Sequence, residues 1–510
     1  MNNRLMKKLV SVLMSISLTA CTVIMSTGVM LGIFENRLVR TEAADSSTIT
    51  LRVCNWEEYI DTGDWDEPID LESGNIMGVN SMVEDFETWY HDTYGKNVKV
   101  EYSCMGTNEE MYNMLTLGDE YDLICPSEYM IMKLMSEGWL EPFSKDFFDT
   151  QVKENYYIKG VSPFIKDVFD NNTINGESWS KYAAGYMWGI TGIVYNPEIV
   201  SEEEASTWDI INNTEFRRQI TIKDNVRDSM FAAVGAIKSD LLTSEQFINS
   251  PDYENRLAEE MNDTSDETIG QVLSYLQEAK NNVYSFETDS AKADMISGKV
   301  AASYQWSGDA VYTMDEAEED DIYLNFAVPV ECTKMYFDGW VMLKSGIKGD
   351  LNKKHAAQSF INFLSIPENA VRNMDYIGYT SVISGGDSDV VYEYVKWNYE
   401  AEDEEETIEY PLGYFFSGDS DDEDFILTVS KEQAVRQLSA QYPTENVMKR
   451  SAVMQYFDKE ENSKINQMWI NVRCYNIANT PVWVWVLTAI LIILGVALLI
   501  YRHFSRNARN

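Results

Sequence analysis

The sequence predicts an α/β protein of two lobes, and three observations carry that reading. Between residues 48 and 140, β-branched and apolar runs alternate with amphipathic stretches, the order that gives right-handed crossovers and a largely parallel sheet. Two long apolar segments, 182–197 and 324–343, read as strands crossing from one lobe to the other. The chain has 510 residues, enough for two full-sized lobes once its ends are set aside.

The elements follow in order. Residues 48–60 begin as a strand (Ile49, Leu51, Val53) and break into Asn55, Trp56, Glu57, Glu58 and Tyr59. Two rings and two carboxylates thus reach one strand end, where ligands sit in open α/β sheets. Ring faces attract ammonium groups and carboxylates pair with them, so the combination suits an organic cation. Glu57 and Glu58 read as mainly solvated, and Cys54 as buried filler. Residues 61–75 form an acidic, turn-rich stretch whose spacing fits no calcium-ligand pattern, so a solvated loop is expected. Residues 79–90 read as a helix with Met82, Phe86 and Trp89 on one face. A strand follows at 97–102, then a helix opened by Thr107 with Glu110 three residues on, a capping box. YDLICPSEYM is a buried strand ending at Pro126, with Ser127, Glu128 and Tyr129 at its carboxyl end.

Residues 264–283 read as a helix with Asp266 and Glu267 in its first turn. Residues 300–314 read as a strand, a turn at Ser307 and Gly308, and a helix. The second crossing, 324–343, carries Tyr336, Phe337 and Asp338 in its middle, and an acid inside so apolar a strand needs a partner. A helix at 352–364 and a turn with a short strand at 377–383 follow. Acidic runs at 402–406 and 419–424 mark a surface insertion.

Composition narrows the function. The 83 Asp and Glu against 40 Lys and Arg, a formal net of -43, argue against nucleic acid, which requires a basic footprint. The three histidines (His91, His355 and His503) lie far apart in sequence, so a histidine-based metal site or triad is poorly supported. No cofactor is expected. The six cysteines lack paired short spacings, and Cys21 lies in an apolar segment, so a full disulfide framework is not expected.

Both ends read as membrane segments. Residues 1–44 form a signal peptide or signal anchor, with Arg4, Lys7 and Lys8 ahead of an apolar stretch. Residues 481–501 carry no charge and are long enough to span a bilayer, and Arg502, Arg506 and Arg509 place the tail, 502–510, in the cytoplasm. The body then lies outside the cytoplasm.

Several of these segments together resemble the bacterial spermidine/putrescine-binding proteins, the substrate-binding components of polyamine ABC importers. NWEEY resembles the family's opening motif; TNEEMYNML, YDLICPSEYMIMKLMSEGWLEPF, YMWGITGIVYN, QWSGDA, INFLSIPENA and IGYTSVI follow in the family's order. The resemblance implies a two-lobed type II periplasmic-binding-protein-like fold with hinge crossovers. It divides the chain into lobe 1 (46–189 and 338–386) and lobe 2 (190–337 and 387–473). It implies a polyamine as ligand, with permease and ATPase subunits of an importer as partners and no enzymatic activity. It also implies a site in which Trp56, Tyr59, Tyr129, Trp306, Tyr336 and Tyr379 box the aliphatic stem and Asp228 and Asp338 hold the amines. Ser127 and Asn225 border that site, and Gln455 reaches one amine. In NVRD, Asn225 stands where the family often has Asp, and Tyr336 where many members have Trp, so the preferred polyamine stays open.

Plainer readings stand beside these. A single aromatic such as Trp306 or Tyr379 packs as often as it binds. Asp228 could pair with Arg227 or cap a helix. The same fold could serve another ligand, such as an amino acid, a thiamine-like cation or a chelated metal, or a surface sensor with no transport role. A carboxylate-dependent enzyme finds no support in a phosphate loop or a nucleophile elbow.

Overall fold

The computed structural model describes residues 48–401 and 406–474. The stretches read as signal or anchor (1–44), transmembrane helix (481–501) and tail (502–510) lie outside the described residues. Among the described residues no helix is long and apolar enough to cross a membrane.

Strand β1 (Ile49–Trp56) pairs in parallel with β2 (Val98–Met105) and with β3 (Leu123–Ile124). Farther along, β4 (Ala183–Tyr195) and β5 (Ile220–Lys223) precede β6 (Ser285–Glu287), β7 (Ala302–Trp306) and β8 (Thr333–Leu343). These eight form the main path of a twelve-stranded sheet in the order β6-β5-β7-β4-β8-β3-β1-β2. β5 is parallel to β6 and β7, whereas β4 is antiparallel to β7 and β8, and β8 to β3. The sheet is therefore parallel at its flanks and antiparallel at its centre, where one crossing strand leaves and the other returns. Every residue of β4 and of β8 is buried, which fits their mostly apolar sequence and makes Lys334 and Asp338 of β8 exceptions that need partners.

Helices α1 (Met82–Tyr94), α2 (Asn108–Leu117) and α3 (Glu128–Ser136) follow the first strands. Ser81 caps α1 in a reciprocal box with Glu84, and the buried stripe is Met82, Phe86 and Tyr90, so the helix starts later than expected and Tyr90 takes the place read for Trp89. Thr107 accepts the Glu110 amide at 3.0 Å, but the Glu110 carboxylate accepts from Gly106 instead, so the expected box is half formed. In the second half, α4 (Val226–Ile237) and α5 (Asp266–Asn282) precede α6 (Ser307–Glu319), which starts directly behind Trp306 with no intervening turn. The second crossing is not one strand: Asn325–Ala327 pairs with β4, and Pro329, without an N–H, intervenes before β8.

α7 (Leu351–Leu364) and α8 (Pro367–Ile377) return to the first strands. Arg372 of α8 donates from Nε to Asp61 at 2.9 Å and from Nη1 to Asp85 at 2.8 Å. Asp61 is buried, so the stretch expected to be solvated is anchored at its start by an ion pair.

Two hydrophobic clusters sit on the sheet. The larger gathers residues from Leu51 to Val194, several from Met295 to Phe326, and those from Met335 to Met448; the smaller is centred on Ile193 to Phe286 and is joined by Ala452 to Val472 of the final helix region. Of the segment 387–473, Val390 to Met448 packs in the larger cluster, through aromatic residues such as Phe415 and Tyr442, and the rest in the smaller. α9 (Lys459–Arg473) lies in that last part.

At the heart of the smaller cluster, Trp208 is fully buried, donates from Nε1 to the Cys332 carbonyl at 2.9 Å and meets Tyr304 edge-on at 4.8 Å. Trp208→Ala should cost about 3–5 kcal/mol, read as a lowered urea midpoint. A loss under about 1 kcal/mol would show that the cluster does not depend on this ring.

Candidate functional site

The site is organised by β8. Strand alternation puts Lys334, Tyr336 and Asp338 on one face. Asp338 accepts from Tyr59 Oη at 2.9 Å and from Ser127 Oγ at 2.7 Å, and Ser127 sits at the N-cap of α3. Among the described residues Asp338 makes no ion pair. Tyr59 meets Tyr379 edge-on at 5.2 Å, and Tyr336 lies 6.3 Å from Tyr379. Rings from a strand end, from β8 and from the turn after α8 therefore surround one buried acid.

Lys334 Nζ is 2.9 Å from Asp228 Oδ1 and 3.9 Å from Glu128 Oε1. Glu128 opens α3, and its Oε2 accepts from the Phe337 amide at 3.2 Å. Its Oε1 is buried and has no hydrogen-bond partner among the described residues. Lys223, at the end of β5, is fully buried; its Nζ lies 3.1 Å from Asp309 Oδ2 and 3.5 Å from the centroid of Trp306. Asp309 also accepts from Tyr379 Oη at 3.2 Å and pairs with Lys292 at 3.3 Å.

Burial drives the titration of this group. It pushes the Glu128 carboxyl up to about 7 against the pull of Lys334. Burial also raises Asp338, opposed by its bonds to Ser127 and Tyr59. Burial works to raise Asp309 too, but Lys223 and Lys292 hold it below its usual value. On Lys334, burial favours the neutral amine, and Asp228 and Glu128 outweigh it, so the ammonium is held above its ordinary value. Burial, then the neighbouring Asp338, raises the Tyr59 phenol.

The structure brings Tyr59, Ser127, Tyr336, Asp338 and Tyr379 into one cluster and ties Asp228 and Trp306 to it through lysines. Asp228, read as a candidate for pairing with Arg227, pairs with Lys334 instead. Trp306 presents a face to Lys223. Tyr129 accepts from Asn108 Nδ2 at 3.0 Å, and its face is covered by the Arg227 guanidinium at 4.2 Å. Asn225 caps α4, its Oδ1 accepting from the Arg227 and Asp228 amides at 2.8 and 3.3 Å. Trp56 is half-buried, and its Nε1 has no partner among the described residues. Gln455 is exposed; its backbone, not its side chain, is tied, to Asn262 and Arg227.

Sequence reading gave no site role to Lys223, Glu128, Asp309 or Lys334. The two-residue rhythm of Lys334, Tyr336 and Asp338 was the available signal for the last. Among the described residues no cluster could hold a metal ion. The cysteines there are free: Cys54, Cys125 and Cys332 buried, Cys104 and Cys474 exposed. Two surface cavities, of about 350 and 250 Å³, are lined by Asp252 and Lys449 and by Asp315 and Gln437 among others; neither includes a predicted site residue.

Residues 81–394, more than half of the chain, match the family described as bacterial extracellular solute-binding protein. The chain is similar to the putrescine-binding periplasmic protein PotF of Escherichia coli, 23% identical over 365 residues that cover 70% of this chain and 83% of that one. It is similar to the spermidine/putrescine-binding periplasmic protein of Salmonella typhimurium, 23% identical over 337 residues, 66% of this chain and 78% of the relative. In fold it is similar to the spermidine/putrescine ABC transporter substrate-binding protein PotD of Streptococcus pneumoniae, with a TM-score of 0.54 at 22% identity over 83% of this chain and 98% of that one. The TpPotD lipoprotein of Treponema pallidum gives 0.55 at 18% identity, covering 83% and 99%.

The raised Glu128 carboxyl has a consequence for stability. Between its ordinary value of 4.5 and about 7, the folded chain holds a proton that the unfolded chain has released. The stability it contributes is full below that window and lost as pH rises through about 7. Relative to Glu128→Gln, the wild type should lose on the order of 2–3 kcal/mol between about pH 5 and about pH 8. Denaturant titrations at several pH values measure this, and a constant difference between the two proteins would refute it.

Proposed function

The chain belongs to the bacterial extracellular solute-binding proteins, and from that premise we propose that it captures a polyamine such as putrescine or spermidine outside the cytoplasm and hands it to the permease and ATPase subunits of an ABC importer. The observation that carries this reading is Asp338, a buried acid held by two hydroxyl groups and, among the described residues, by no ion pair, with Tyr59, Tyr336 and Tyr379 around it. A carboxylate in that setting favours an ammonium group. The rings remove methylenes from water at roughly 25 cal/mol per Å² and add about 0.5–2 kcal/mol for each cation–π contact. The similarity to a putrescine-binding and a spermidine/putrescine-binding protein favours the same ligand class.

The working unit is two lobes, 46–189 with 338–386 and 190–337 with 387–473, that close on the ligand about β4 and β8. Trp56, Tyr59, Ser127, Tyr129, Asn225, Asp228, Trp306, Tyr336, Asp338, Tyr379 and Gln455 are the residues assigned to the cleft. The apolar segment 481–501 tethers the body beside the permease and raises its effective concentration there. The role is binding and delivery, not catalysis. A second reading, a receptor for a different small ligand, is favoured by one observation: Lys334 and Lys223 already bring positive charge to the site.

Calorimetric titration with putrescine and spermidine should give saturable binding that Trp56→Ala and Asp338→Asn each weaken by more than about 1 kcal/mol. Wild-type binding no tighter than that of either variant would remove the site. Small-angle scattering should show compaction on adding ligand, and unchanged dimensions at saturation would remove the clamp.

A further inference from the structure

The rings and acids expected to grip a doubly or triply charged amine are largely engaged by cations of the chain itself. Lys223 Nζ lies 3.5 Å over Trp306, the Arg227 guanidinium lies 4.2 Å over Tyr129, and Lys334 Nζ lies 5.9 Å from the Tyr336 centroid. Of the four buried acids described at this site (Asp228, Asp309, Asp338 and Glu128), Asp228 is paired with Lys334 at 2.9 Å and Asp309 with Lys223 at 3.1 Å. These lysines are not surface groups: their side chains are 6% and 0% exposed. A second ligand ammonium beside either would meet a like charge in a water-poor setting, where repulsion is weakly screened.

Two acids remain. Asp338 has only hydroxyl partners. Glu128 lies 3.9 Å from Lys334, and its Oε1 is a fully buried acceptor with no hydrogen-bond donor among the described residues. Both contact β8: Asp338 belongs to it, and Glu128 Oε2 accepts from the amide of Phe337, one residue before it. Burial raises both carboxyls, so the pair carries at most two negative charges, and Lys334 already faces Glu128, which leaves a place for one ligand ammonium. At the carboxyl end of β1, the buried Trp56 Nε1 has no acceptor among the described residues. An ammonium group offers that donor nothing; an amide carbonyl would accept from it.

We propose, resting on the amine-capture reading above, that Lys334 and Lys223 determine specificity by standing in for a ligand's other ammonium groups. The site accepts a ligand with one buried ammonium, seated on Asp338 and Glu128 among Tyr59, Tyr336 and Tyr379, and with a neutral, hydrogen-bond-accepting far end. The class that fits is a mono-N-acylated diamine. Lys334 carries the larger share, because it lies on the same strand face as Tyr336 and Asp338 and neutralises the acid assigned to a second amine.

The test is calorimetry on the full chain in detergent micelles with N-acetylputrescine, putrescine and spermidine as probes. The wild type should bind N-acetylputrescine at least tenfold tighter than putrescine. Lys334→Met leaves Asp228 buried and unpaired, so it should reverse the order by at least tenfold, and putrescine should raise its melting temperature more than that of the wild type. The double variant Asp228→Asn with Lys334→Met removes both members of the pair and should keep the wild-type order. Should Lys334→Met fail to fold, the wild-type order alone decides. Wild-type binding of putrescine or spermidine as tight as that of N-acetylputrescine overturns this inference and leaves amine capture standing. No binding of any of the three at millimolar concentration overturns amine capture, and this inference with it.

Discussion

The buried ammonium of Lys334 is the constraint on which the centre of the molecule depends. It sits on β8, which pairs with β4 at the middle of the sheet, and its partners come from two sides: Asp228 from α4, beside the smaller cluster, and Glu128 from α3, beside the larger. A charge so enclosed is tolerable only while its partners stay in place; removing one leaves the others uncompensated at a cost of several kcal/mol. The pair therefore fixes how α3, α4 and β8 approach one another. Hydrophobic packing supplies bulk stability but does not specify that approach, because apolar contacts are non-directional.

Around that ammonium, polar and aromatic groups form a connected chain. Asp338 receives hydrogen bonds from Tyr59 and Ser127; Tyr59 packs against Tyr379; Tyr379 donates to Asp309, which holds Lys223 beneath Trp306. Each link is short, and most of its members are buried. Solvent-exposed ion pairs elsewhere, such as Lys431 with Glu406, contribute little by comparison.

Much of this was legible in the sequence. Alternating strands and helices and the two apolar crossings are local patterns, and they located β1, β4 and β8; Tyr59, Tyr336, Asp338 and Tyr379 were put in one site by the family resemblance, not by any local period. The antiparallel centre was not legible, because strand direction depends on where the chain returns and not on any local period. Lys223, Lys334 and Glu128 were missed for a related reason: a lysine or glutamate within an apolar run is noticed as an exception, but its partner is chosen by tertiary structure. Lys334 and Asp228 are 106 residues apart and meet only in the folded chain. The ends of the chain, where the sequence signal for membrane segments is strong, lie outside the described residues.

The pairing of β4 with β8 has one irregularity. Asp338 stands opposite Met187 and Gly339 opposite Gly185, so Tyr186 is an extra residue in β4. Its hydroxyl donates to the Tyr59 carbonyl at 2.9 Å and its ring packs edge-on to Tyr59. Cross-strand partners share a face, so Gly185 and Met187 face opposite ways although they are two residues apart; the extra tyrosine shifts the alternation of β4 by one residue without breaking its pairing with β8.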